Sequence, residues 1–261
     1  MSQSTQAIVH RRAGAVAHIQ FNRPQALNAI DSDMAAAFLR CCRDIAADDG
    51  VRAVLLSGAG RAFMAGGDVA SFRSDPAGIE PSIIAPMHEA LALLAGQSAP
   101  VLACVHGAVA GAGLSMALAA DLVIAAEGTR FSFAYAALGA SGDLGVSWSL
   151  PRAVGLRAAL EIALLPEPLD AARARELGMV NRVVPADTLM VEGEALAERL
   201  AAGPTFAYGK IRGLMRASFG REFGPQLDAE RDAFADCTRT DDFQGAVAAF
   251  LDKRKAEFAG R

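Results

Sequence analysis

Three glycine-rich stretches and one aspartate hold the residues of this sequence best suited to chemistry. PVLACVHGAVAGAGLSMALAAD, residues 100–121, opens with an apolar run, Val101 to Val105, that reads as a buried strand. The chain turns at His106-Gly107, passes Gly111 and Gly113, and begins a helical run at Leu114. A strand that feeds such a turn and a helix start leaves backbone N–H groups without intrahelical partners. Those donors can hold an anion, or a carbonyl oxygen on its way to becoming one. The same small residues equally fit a tight βα turn packed for its own sake. Neither common nucleotide motif is met. There is no Gly-Lys-Ser/Thr, and Gly111-Ala112-Gly113 is followed three residues later by Met116. GAGRAFMAGGD, residues 58–68, is a second such loop, ending in Asp68, which can cap the segment behind it. In the third, residues 131–155, Gly139, Gly142 and Gly145 surround one carboxylate, Asp143. A carboxylate there is commonly a turn former, but the apolar helical segment that follows turns this loop inward.

The elements that must position these residues read as an α/β protein. Residues 7–21 alternate around Gly14 as a hairpin, and Asp31 or Ser32 can cap a helix with Met34, Phe38, Cys41 and Ile45 on one face. Strands are expected at 51–56, 101–105, 122–125 and 179–184, and helices at 83–94, 156–165 and 171–177. Residues 70–81, with Pro76, Gly78 and Pro81, read as a mobile loop. His88 lies on a stripe with Ile84 and Leu91, beside the apolar face of its helix. After Pro185 only helices follow, at 186–201, 205–218, 225–237 and 241–257. Gly203-Pro204 divides a core, residues 1–202, from a helical tail, 203–261, too small to fold alone.

Composition narrows the class. The 261 residues are 52% hydrophobic with a net charge of −4 and no basic block, which argues against nucleic acid as a partner. No apolar run is long enough for a bilayer, and the polar opening MSQSTQ predicts no signal peptide. Cys41, Cys42, Cys104 and Cys237 have no metal spacing and read as reduced thiols of a cytoplasmic protein.

Together these segments resemble the enoyl-CoA hydratase/isomerase (crotonase) superfamily. The resemblance runs nearly end to end, through FNRPQALNAI, GAGRAFMAGGD, PVLACVHGAVAGAGLSMALAADLVIA, PRAVGLRAALEIALL, ARARELGMVNRVVP and AVAAFLDKRKAEF. It implies a spiral of ββα units with a helical trimerisation region, a trimer or dimer of trimers, and an acyl-CoA substrate. It also implies stabilisation of a thioester enolate by two backbone N–H groups, placed by position at Gly67 and Ala112. Gly66, Asp68 and Gly111 flank them as substrate-binding residues. Arg23, Ala26 and Leu27 are placed near the adenine and phosphates of CoA, with Ala65 and Val69 beside them. Phe250 and Lys253 complete the pocket of a neighbouring subunit. No metal or redox cofactor is implied beyond the CoA of the substrate.

Within the superfamily, side chains around the enolate set the reaction. Hydratases carry two glutamates, and at those positions this chain has Ser115 and Tyr135, which can orient a substrate but are not general bases near neutral pH. Asp143 matches the aspartate of enoyl-CoA isomerases of the phenylacetate-degradation type, which HGAVAGAG and GDLGVSWSLPR also resemble. It equally matches the nucleophile of 4-chlorobenzoyl-CoA dehalogenases, in which His88 falls at the position of an assisting histidine and a tryptophan stands where this chain has Tyr135. One base suffices to move a double bond, so isomerisation ranks first. Dehalogenase-like chemistry by Asp143 and His88 ranks second. Hydration and acyl-CoA binding without catalysis stay open.

Overall fold

The computed structural model describes residues 6–165 and 167–261, so most of the polar opening segment lies outside the described residues. The chain begins with β1 (Ile8–Ala13) and β2 (Val16–Phe21), an antiparallel pair turning at Gly14 with Ala13 opposite Val16. Helix α1 (Ser32–Ala46) is capped by Asp31, whose side chain accepts from the Met34 N–H. Its buried stripe runs through Met34, Phe38, Cys42 and Ile45, so Cys42 takes the inward place expected of Cys41. There follow β3 (Ala53–Gly58), α2 (Val69–Ser74), α3 (Ala85–Gly96), β4 (Val101–Val105), β5 (Ala108–Ala110), α4 (Ala112–Ala119), β6 (Leu122–Ala126) and β7 (Arg130–Ser132). The chain continues through α5 (Val146–Val154), α6 (Leu156–Leu164), β8 (Leu169–Asp170), α7 (Ala171–Glu176), β9 (Arg182–Val184), α8 (Leu189–Ala201), α9 (Thr205–Ser218), α10 (Phe223–Thr238) and α11 (Asp241–Leu251).

The main sheet runs β1-β2-β3-β4-β6-β9, and every pair after the first is parallel. Its central strands are apolar throughout because both faces are covered. Val54 and Leu56 of β3, with Val101, Ala103 and Val105 of β4, enter the larger core beneath α1 and α3. The alternate residues Ala53, Leu55, Leu102 and Cys104 enter a smaller core against Leu189, Leu196 and Ala197 of α8. Helix α8 approaches at Gly193, where a Cβ would stand 2.2 Å from Cys104 Sγ.

A small sheet, β5-β7-β8, stands beside the main one. Its strands are too short for any periodicity to announce them. Residues 70–81, expected as a loop, are α2, a 3-10 turn at Pro76–Gly78 and the start of a π turn at Glu80–Ile84 that runs into α3. Asp68 and Asp75 cap the first two with their side chains, so each proline starts a new turn and leaves the segment structured.

In the C-terminal helices, Arg212 and Arg216 of α9 bind Asp121 at 2.7 and 2.8 Å. Arg52 donates to the carbonyls of Gly203 and Phe258, tying the chain end to β3. Helix α11 stops at Leu251, short of the expected 257, where the Asp-Lys-Arg-Lys run offers no apolar stripe and Lys253 turns to φ +57°.

One polar chain, Arg11–His18–Ser57, should make the fold sensitive to acid. Arg11, opposite His18 in register, donates from Nε to His18 Nδ1 at 2.8 Å. The ring proton therefore sits on Nε2, 2.7 Å from Ser57 Oγ. Burial first, and the Arg11 charge second, push His18 from 6.5 down to about 4. The unfolded chain binds a proton in that window that the folded chain does not. Stability contributed by neutral His18 is thus complete above pH 6.5 and is lost as pH falls toward 4. Allowing for screening at exposed Arg11, the loss amounts to about 2 kcal/mol. Urea unfolding at stepped pH should show it, and His18→Gln should flatten that slope; an unchanged slope in the variant would refute the assignment.

Candidate active site

Two backbone segments meet at the C-terminal ends of β3 and β4. On the first, the loop from Arg23 to Ile30 is pinned by buried Asn28, whose Nδ2 donates to the carbonyls of Ala59 and Ala62 at 2.9 and 2.8 Å. Ile30 then pairs with the second glycine-rich loop. Its N–H donates to Gly66 O at 2.9 Å, and its carbonyl accepts from the Asp68 N–H at 2.8 Å. This pairing brackets Gly67, whose own N–H finds no acceptor among the described residues.

The second segment is β5 and the start of α4. Ala110 N–H donates to Met64 O, and Gly111 N–H to Ser132 O, each at 3.0 Å. Ala112, the first residue of α4, follows with no acceptor for its N–H among the described residues, as its position in the helix dictates. The segments touch through glycine. A Cβ on Gly66 would lie 3.4 Å from Ala110 O and 4.0 Å from the Ala112 nitrogen, and one on Gly113 would stand 2.1 Å from Met64 O. Gly111, at φ +51° and ψ −119°, takes a backbone shape that suits glycine.

Gly67 and Ala112 both line a cavity of about 480 Å³. Ala65, Gly66, Val69 and Gly111 line it too, and Ile30, Phe72, Ile79, Ile83, Leu138 and Leu144 make most of its wall apolar. Asp143 is the one carboxylate in the lining among the described residues, with Tyr135 beside it. Its loop is tightly turned: Leu144 has φ +51°, and Ala134, which precedes Tyr135, has φ +55°. Two non-glycine residues held in the left-handed region mark stored strain around the carboxylate. Tyr135 Oη donates to Asp143 Oδ1, and Ser115 Oγ lies 2.8 Å behind Tyr135 Oη. Burial, followed by the charge of Asp143 and the hydrogen bond to it, holds the Tyr135 phenol well above its usual range.

The other expected site residues lie outside this cavity. His88 is exposed and outside the cavity lining, since α3 turns Met87, Ala90 and Leu94 inward. Its Nε2 accepts from the Leu144 N–H at 3.2 Å, so it braces the Asp143 loop from outside. Arg23, expected near the CoA phosphates, is engaged by Asp31 and Asp68, both at 2.9 Å, and staples the two loops. Ala26 belongs to a 3-10 turn at Pro24–Ala26, and Leu27 O accepts from the Ala65 N–H at 3.0 Å. Ser115 is fully buried and does not reach the cavity. Phe250 and Lys253 are exposed in the tail and are not brought to the cavity by this chain. Asn28 was missed, because its partners are more than thirty residues away.

A family model described as enoyl-CoA hydratase/isomerase matches residues 11–261. The chain belongs to the enoyl-CoA hydratase/isomerase family. It is 38% identical over 247 residues to the 1,2-epoxyphenylacetyl-CoA isomerase of Escherichia coli, covering 93% of this chain and 94% of that one. It is 30% identical to the short-chain-enoyl-CoA hydratase of Clostridium acetobutylicum, covering 96% of each. The crystal structure of an enoyl-CoA hydratase from a Polaromonas species superposes with a TM-score of 0.91 at 30% identity, covering 96% of this chain and 99% of that one. The fold is therefore the crotonase fold, and the chain is an acyl-CoA enzyme of this family.

Proposed function

We propose that this enoyl-CoA hydratase/isomerase family member is an isomerase that shifts a double bond in an enoyl-CoA thioester. The observation that carries the reading is that Asp143 is, among the described residues, the single carboxylate in a cavity that two N–H groups with no acceptor among those residues also line. The thioester oxygen of a 3-enoyl-CoA meets the N–H groups of Gly67 and Ala112. Charge that grows on this oxygen is stabilised by dipoles already in place, each contributing about 3 kcal/mol. Asp143 takes the α-proton and returns it at the γ-carbon, so one base serves both halves. The apolar wall suits a hydrocarbon acyl group. The reaction needs no cofactor beyond the CoA of the substrate.

An aryl acyl group is the second reading, supported by the 38% identity to an isomerase named for epoxyphenylacetyl-CoA. Dehalogenase-like chemistry has less support, because His88 spends its Nε2 on Leu144. Side-by-side assays with 3-enoyl-CoA, 2-enoyl-CoA and 4-chlorobenzoyl-CoA test the ranking. Conversion of the first alone is expected; chloride release from the third would replace the isomerase reading.

A homotrimer or dimer of trimers in the cytoplasm completes the proposal. Phe219, Phe223 and Phe250 are 67%, 79% and 81% exposed on or beside the last helices, more apolar surface than a lone chain usually leaves open. Sedimentation as a monomer would count against it.

A further inference from the structure

The hydroxyl of Tyr135 is already committed. An ionised carboxylate only accepts hydrogen bonds, so the phenol's one proton goes to Asp143 Oδ1. Ser115 Oγ lies 2.8 Å from Tyr135 Oη and 3.3 Å from the Gly111 carbonyl; with the phenol proton committed, its one proton goes to the nearer oxygen, Tyr135 Oη. The protons point one way, from Ser115 to Tyr135 to Asp143. Ser115 is fully buried on α4, three residues after Ala112. Phe133 holds the Tyr135 ring edge-on, with centroids 5.1 Å apart. One helix thus presents the Ala112 N–H and, through two hydroxyls, fixes the carboxylate relative to it.

We infer that Tyr135, aimed by Ser115, is a positioning residue for Asp143: it occupies Oδ1 and leaves Oδ2 as the oxygen that carries the proton. This rests on reading Asp143 as the base, and it moves Ser115 and Tyr135 from substrate contacts to parts of the base. In the reaction the α C–H bond breaks, its electron pair enters the thioester as a dienolate, and the proton goes to Oδ2. The proton then forms the γ C–H bond and Oδ2 is a carboxylate oxygen again. Tyr135 keeps its own proton throughout, in line with a phenol held above its ordinary range by burial and by the Asp143 charge.

Kinetics on a 3-enoyl-CoA and a substrate-free measurement together test the inference. Tyr135→Phe should lower kcat about tenfold, the worth of a hydrogen bond to a charged group, with KM within about twofold. Ser115→Ala should slow the wild type and add nothing to Tyr135→Phe. A wild-type kcat in Tyr135→Phe, a change in KM alone, or effects that multiply would overturn the inference. The chain has two tyrosines, Tyr135 and Tyr208, so ¹³Cζ-tyrosine labelling gives two signals. The Tyr135 signal should move as Asp143 titrates and stop moving in Asp143→Asn. A signal indifferent to Asp143 overturns the positioning role; an Asp143→Asn enzyme with wild-type turnover overturns the isomerase mechanism instead.

Discussion

Asp143→Asn should give a folded protein that binds acyl-CoA and turns it over about a thousandfold more slowly, the range of a lost general base. The substitution is nearly isosteric, and the asparagine Oδ1 can still accept from Tyr135, so the loop keeps its bonds to Tyr135 and, through Leu144, to His88. The N–H groups of Gly67 and Ala112 belong to other segments and stay where they are. Ground-state contacts to the thioester therefore survive, and calorimetry should find Kd for an acyl-CoA within about threefold of wild type. What is lost acts only in proton transfer, and a loss in kcat without a matching rise in KM is its kinetic form. A collapse of Kd with little further loss in kcat would make Asp143 a binding residue. Unchanged kcat would require another base, and no other carboxylate lines the cavity among the described residues.

What could be read in the sequence is what depends on neighbours along the chain. The Asp31 cap, the inward stripe of α1 and the apolar runs of β3, β4 and β6 follow from local chemistry and from burial of both sheet faces. The two glycine loops were legible as helix-start and turn chemistry, and the resemblance gave them a common purpose. Contacts that join distant segments were not legible. Arg23 looked free because Asp68, one of its partners, lies 45 residues on. His88 sits at the border of a helical face, where a small rotation of α3 decides between cavity and outer surface. The bonds from Ser115 to Tyr135 and from Tyr135 to Asp143 were not legible either, because the sequence does not say which hydroxyl another side chain takes. The π turn at Glu80–Ile84 has no signature apart from its proline, yet it carries Ile83 and Ile84 into the cavity wall.

Ala112→Pro is the sharpest way to remove one oxyanion donor, since it deletes a backbone N–H with no acceptor among the described residues. Ala112 is the first residue of α4, where proline's fixed φ suits the helix and no intrahelical bond is lost. The residue before a proline is normally restricted through its Cβ, but here it is Gly111. The fold should therefore tolerate the change, with Tm within a few degrees of wild type. Turnover should not: loss of a single donor of this kind costs about 10²–10³ in kcat. The proline ring also places its Cδ where the N–H proton was, toward the space the thioester oxygen would enter, so KM should rise as well. Ala112→Gly is the control, keeping the N–H and removing only the methyl, and its rate should stay near wild type. If both variants are folded and only the proline form is slow, the N–H is responsible. A folded Ala112→Pro enzyme with wild-type kcat would mean that the glycine-rich turn before α4 is a packing turn and that charge on the substrate is stabilised elsewhere.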